Sequence, residues 1–121
     1  MIFIEAPAFT RHLPSYLTDD GYRRLQEALV VNPEAGAVMP GTGGFRKMRW
    51  PDPRRGKGTR GGLRIIYYNF ADEAQIWLMT LYGKDELKDL TAAEKRTLKA
   101  AINAECEARA ARRATARRRT R

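Results

Sequence analysis

The sequence predicts a small α+β domain, and three observations carry that prediction. Residues 43–83 hold three strand-like runs rich in β-branched and aromatic residues, each bounded by Gly, Pro, Asn or Asp. Two helical patterns precede them, and a third, longer one follows from residue 91. With a brief apolar stretch at the start, the expected order is β-α-α-β-β-β-α. The sheet should be mostly antiparallel, with the two N-terminal helices packed on one face and a C-terminal helix closing the chain.

At 121 residues the chain is long enough for one domain with a modest core. Residues 1–5 are rich in Ile and Phe and suit a short buried strand. Pro7 can begin a helix, because its missing N–H costs nothing in the first turn. Phe9 and Leu13 then face the core, and Pro14 is expected to end or bend this segment. The lone histidine, His12, beside that apolar stripe reads as a surface or structural residue.

Thr18 is a good N-cap, with Asp19 and Asp20 in the first turn where the helix dipole favours negative charge. Tyr22, Leu25 and Leu29 follow at helical spacing, and Asn32-Pro33 stops the helix. Residues 33–44 read as a loop. Its Gly41-Thr42-Gly43-Gly44 precedes a strand and lacks the Gly-Lys-Ser/Thr ending of a phosphate loop, so it reads as a turn.

The three strands are expected over 43–50, 61–70 and 75–82. After them, Thr91-Ala-Ala-Glu94 forms a capping box, and Leu98, Ile102 and Cys106 recur along one side of the helix it opens. At that spacing Cys106 reads as a small core residue. The domain should end near residue 106, with 107–121 an Arg-rich tail, disordered until bound and suited to tethering RNA without sequence preference.

Charge narrows the partners. The net charge is +9 and the pI about 10.2, which favours polyanions, above all nucleic acid. Residues 107–121 contribute +6 of this, from seven arginines and one glutamate. A single cysteine rules out an internal disulfide, and no Cys/His cluster has zinc-ligand spacing, so neither metal nor cofactor is expected. The start, Met-Ile-Phe-Ile-Glu-Ala-Pro, is apolar only briefly and lacks a basic leader; no membrane segment and a cytoplasmic location are the expectation.

The remaining cations sit in unusual places. Period-two alternation puts Lys47 and Arg49 on one face of the first long strand, and Arg64 interrupts an otherwise apolar second strand. If those strands are antiparallel neighbours, three cations converge on one stiff patch, where an anion belongs. The connection at 51–62 adds Arg54, Arg55, Lys57 and Arg60 against Asp52, and next to the sheet cations it reads as a backbone-gripping loop; Arg46 adds to the same RNA- or ribosome-binding set.

Nucleophilic catalysis is poorly served by one histidine and one cysteine. The acids lie mostly at helix starts and turns, so paired-carboxylate or metal chemistry is also poorly served. Cations can still cleave RNA by assisting attack of a ribose 2′-OH on the adjacent phosphate. That reaction needs a base for the hydroxyl, positive charge on the developing phosphorane, and charge relief at the leaving 5′ oxygen. Arginine's planar fork suits the second role, and a lysine crowded by other cations can supply the first. Among the aromatics, Tyr82, beside the strand end and Lys84, is the choice for stacking a splayed base.

The strings Gly41-Thr42-Gly43-Gly44-Phe45-Arg46-Lys47-Met48-Arg49, Gly56-Lys57-Gly58-Thr59-Arg60-Gly61-Gly62-Leu63-Arg64-Ile65-Ile66-Tyr67-Tyr68 and Leu81-Tyr82-Gly83-Lys84 together resemble the RelE/ParE superfamily of bacterial toxins, closest to the HigB branch. The similarity runs over about residues 1–103. It implies a toxin of a toxin-antitoxin pair that enters the ribosomal A site, cleaves the mRNA there without a metal, and is held inactive by a HigA-like antitoxin. On this resemblance Lys47 and Arg49 match basic positions of the first hairpin strand, Arg64 the arginine of the next, and Lys84 a basic position after the last. The tyrosine that follows that strand in RelE has no counterpart in residues 85–91; Tyr82 takes its place, or the roles are distributed differently. Two alternatives remain: a noncatalytic RNA- or ribosome-binding domain, and a ParE-like inhibitor of DNA gyrase on the same fold.

Overall fold

Each β-branched or aromatic run becomes a strand in the computed structural model, which describes residues 1–52, 62–84 and 90–119. The strands are β1 (Ile2–Glu5), β2 (Ala37–Val38), β3 (Arg46–Trp50), β4 (Leu63–Phe70) and β5 (Gln75–Gly83). They form one mixed five-stranded sheet in the order β1-β5-β4-β3-β2, with β1 parallel to β5 and every other pair antiparallel. The helices are α1 (Pro7–Tyr16), α2 (Asp19–Val31) and α3 (Ala92–Arg119). The protein is therefore α+β, with three helices and a mixed sheet.

The chain divides into two compact units, Met1–Met39 with Phe45–Asp89, and Pro40–Gly44 with Leu90–Arg121. In the first unit, Phe9 and Tyr16 of α1 and Leu25 and Leu29 of α2 pack with Met48, Leu63, Ile65, Tyr67, Ile76, Leu78 and Leu81 of the sheet. Both N-terminal helices thus bury their apolar stripes on one sheet face. Of the two outcomes expected at Pro14, an end to the helix is not seen; α1 runs on to Tyr16, whose burial on the same stripe as Phe9 outweighs the one lost backbone bond. Leu17 N–H still donates to Leu13 O at 3.0 Å. Thr18 caps α2 as its sequence indicates, accepting from Gly21 N–H at 3.1 Å.

A bulge in β5 lets that strand serve the core twice. Thr80 pairs with Ile66, but the next β4 residue, Tyr67, pairs with Leu78, leaving Met79 as the extra residue. Strict alternation would put Leu78 and Leu81 on opposite faces; the extra residue turns both inward. Arg64, Tyr82 and Thr80 are left together on the other face.

The segment 33–44 is not wholly irregular. Ala37 and Val38 pair with Lys47 and Arg46, adding an edge strand too short for periodicity to reveal. Tyr67 anchors the approach to it: its hydroxyl accepts from Gly36 N–H and donates to Pro33 O, both at 2.9 Å.

In the second unit the capping box of α3 forms as expected: Thr91 N–H donates to Glu94 Oε1 at 2.9 Å, and Glu94 N–H to Thr91 Oγ1 at 3.1 Å. The 40–44 turn packs directly on this helix. A Cβ on Gly43 would stand 2.8 Å from Ile102 Cγ2, and the residue's φ is +78°. Two expectations change here. Cys106 is exposed, not a core residue, because the buried side of α3 runs through Ile102 and Arg109 and passes it by. The Arg-rich stretch is helical to Arg119 and continuous with the helix before residue 106.

Candidate nucleic-acid interface

The sheet face opposite the helix-packed core divides in two along β4. Toward one end Phe45, Tyr68, Phe70 and Trp77 make an aromatic cluster, with Phe45 edge-on to Tyr68 at 5.5 Å and Tyr68 tilted against Phe70 at 4.7 Å. Toward the other end lie the cations. Arg49 on β3 pairs with Arg64 on β4, and Arg64 pairs in turn with Tyr82 on β5. Opposed residues in a sheet share a face, so the three form one transverse row. Lys47, two residues before Arg49, adjoins the row opposite Ile66.

Backbone hydrogen bonds fix how close the two arginines are. Lys84 N–H donates to Gly62 O at 3.3 Å, so the even residues of β4 direct their backbone groups toward β5. Met39 N–H donates to Phe45 O at 2.8 Å, so the odd residues of β3 direct theirs toward β2. Both observations make Arg49–Arg64 a non-hydrogen-bonded pair, the type with Cα atoms only about 4.5 Å apart and side chains nearest each other. Like charges so placed repel.

Arg49 is exposed and Arg64 half-buried. Among the described residues, no carboxylate forms an ion pair with Arg49, Arg64 or Lys84. Arg64 makes only long bonds, 3.5 Å, to Gly62 O and Leu63 O, which hold its guanidinium near its own strand and leave most of its donor fork available. The aligned ladder extends to Lys84, which alternation carries to the Tyr82 face, and Lys84 is exposed. These groups can together bind a phosphate or a phosphodiester through charge-assisted bonds from several directions.

Two sequence-predicted residues behave differently. Arg46 does not join the row: alternation puts it on the opposite face beside Tyr67, where it donates to Gly36 O at 2.8 Å and to Glu34 O at 3.4 Å. From that face it holds the segment before β2. Tyr82 lies in the row but is only 7% exposed, too covered to stack face-on with a splayed base. Its place beside Arg64 suits contact through its edge or hydroxyl. Arg54, Arg55, Lys57 and Arg60 lie outside the described residues.

Sequence reasoning expected the cations on one patch but not that Arg49 directly faces Arg64, because register depends on hydrogen bonds between distant segments. It also missed the aromatic cluster beside them. The alternation of Arg64, Ile66, Tyr68 and Phe70 along β4 was the available signal. Among the described residues no group of His, Cys, Asp and Glu could hold a metal ion, and no helix is long and apolar enough to cross a membrane. No family model matches the chain.

Proposed function

We propose that this protein is a RelE-like toxin, a ribosome-dependent endoribonuclease that cleaves mRNA in the A site and is restrained by a cognate antitoxin. The observation that carries the reading is the Arg49–Arg64–Tyr82 row, two guanidinium groups opposed on neighbouring strands and unneutralised by any described carboxylate. Supporting it, the three motifs that resemble the toxin family fall at and around β3, β4 and β5.

Arg64, at the centre of the row, takes the scissile phosphate, and Arg49 shares the charge that builds on its non-bridging oxygens. The 2′-oxygen forms the new bond to phosphorus as the bond to the 5′ oxygen breaks, giving a cyclic phosphate and a free 5′-hydroxyl. The proton lost from the 2′-hydroxyl is made good at the leaving oxygen. Lys47 and Lys84 flank the row from β3 and from the end of β5, positioned for those two transfers, and Tyr82 orients Arg64 from the third strand. Fixed cations of this kind stabilise the transition state more than the ground state, because the phosphorane carries the extra negative charge.

The test is to express the protein and its Arg64→Ala variant in growing cells and map mRNA 5′ ends. The wild type should yield cuts in phase with codons, and the variant should lose them. A wild type that retains RNA without cutting it would be a binding domain, and one that inhibits supercoiling with translation intact would be a gyrase inhibitor.

A further inference from the structure

Beyond Ile102 the character of α3 changes. Glu105 holds Arg109 at 2.8 Å and Arg112 at 3.3 Å, and Arg109, 7% exposed, is the last buried residue of the helix. Glu107 is the last acid of the chain. From Ala110 to Arg119 every residue except the half-buried Ala114 is exposed. This stretch carries Arg112, Arg113, Arg117, Arg118 and Arg119 among Ala and Thr alone.

At about 100° per residue these five arginines spread around most of the helix circumference, so no single face is basic and none is apolar. An exposed end of ten residues gains little from packing, and isolated helices that short are marginal in water. Basic side chains in the last turn suit the helix dipole. A polyanion would meet guanidinium groups on all sides of this helix. Between Arg112 and Arg119 lies a shallow depression lined by Ala111, Thr115 and Ala116, where small side chains let another backbone approach the helix between two guanidinium groups about 10 Å apart along the axis.

We propose that residues 110–119 of α3 are an RNA-docking helix that grips the phosphodiester backbone without reading base sequence, separately from the sheet cations. A membrane surface is a poor match, since interfacial helices need a face of Leu, Phe or Trp and this one has none. An acidic protein partner would call for cations on one side. A nucleic acid, with charge at every step, matches arginines on every side. The choice of RNA over DNA rests on the proposed function above.

The experiment uses the full chain and a variant carrying R112Q, R113Q, R117Q, R118Q and R119Q, glutamine keeping helix propensity and length. Binding to a labelled 20-nucleotide RNA of mixed sequence and to a DNA of the same sequence is measured across a salt series, without ribosomes. Neutralising the helix should weaken RNA binding at least tenfold and lower the log–log salt slope by roughly 3.5, as expected for about five lost contacts at about 0.7 per phosphate. Arg64→Ala should lose mRNA cleavage but lower the slope by no more than about 0.7, the loss of one phosphate contact. Unchanged affinity and slope in the five-glutamine variant would overturn the docking helix while leaving the sheet site intact. Equal affinity for the DNA would overturn its assignment to RNA. Cleavage surviving in Arg64→Ala would instead remove the sheet reading, with the helix judged on its own salt slope.

Discussion

Arg49 and Arg64 oppose each other across β3 and β4 as a non-hydrogen-bonded pair, two guanidinium groups brought together where a sheet holds side chains closest. Such a pair costs stability, since like charges directly opposite in a sheet repel by a few tenths to about 1 kcal/mol. A site that holds it anyway is poised for an anion.

Stability and activity should therefore move in opposite directions. Arg49→Gln is expected to raise unfolding free energy by roughly 0.5 kcal/mol at low ionic strength, measured by urea titration, with the gain shrinking as salt screens the pair. The same change should slow cleavage about 100-fold, because one donor to the developing charge is lost. Inorganic phosphate should raise the melting temperature of the wild type more than that of the variant. A variant no more stable than the wild type at low salt would mean that the two arginines do not strain the fold.

Tyr67 governs a different part of the same sheet. Its ring is fully buried, and its hydroxyl both accepts from Gly36 and donates to Pro33. Burial pushes its pKa up, partly offset by the Gly36 hydrogen bond. Tyr67→Phe leaves the buried Gly36 N–H and the Pro33 carbonyl without that partner, and should cost about 1–3 kcal/mol in urea unfolding. Gly36→Ala should be at least as harmful, since a Cβ there would stand 2.9 Å from the Lys47 carbonyl carbon and 3.0 Å from Tyr67 Cε1. Tyr67→Phe does not touch the cation row, so cleavage per folded molecule should be preserved in that variant, whereas Gly36→Ala presses on the backbone of Lys47 and should slow it.

How much of this the sequence disclosed depends on whether the signal was local. The caps at Thr18 and Thr91, the three long strands and the face shared by Lys47 and Arg49 follow from neighbours within a few residues, and each is present. The opposition of Arg49 to Arg64 requires the register of two strands, which no local pattern encodes. Arg46 looked like its neighbours Lys47 and Arg49 in composition, yet alternation sends it to carbonyls on the other face. Cys106 had the spacing of a core residue, but the buried side of α3 takes in an arginine, tied to Glu105, which hydropathy would never place there.

Gly41 and Gly43 offer a controlled comparison in the 40–44 turn. Both have positive φ, +79° and +78°. A Cβ on Gly41 would meet only Lys95 Cδ at 3.7 Å, an ordinary contact, whereas one on Gly43 would meet Ile102 Cγ2 at 2.8 Å. Gly41→Ala should thus cost only the backbone strain, about 1 kcal/mol. Gly43→Ala should cost that and an overpacking penalty of about 1–3 kcal/mol more. Equal losses in thermal unfolding would show that the turn does not press against α3 at Ile102.

Tyr22 should make the fold sensitive to alkali. Its hydroxyl donates to Glu5 Oε2 at 2.8 Å, and burial, followed by the Glu5 hydrogen bond and charge, holds its pKa far above the usual tyrosine value. The neutral form is the one the folded state favours. Its contribution is therefore complete below the unfolded pKa of about 10 and is lost as pH rises from there toward the folded value. The limiting slope is about 1.4 kcal/mol per pH unit, reduced because the half-buried ring is partly screened by water. Tyr22→Phe removes this contribution while Tyr67 remains in both proteins, so the difference between their unfolding free energies should narrow above about pH 10. Parallel alkaline limbs for the two proteins would show that the Glu5 bond does not favour the neutral phenol.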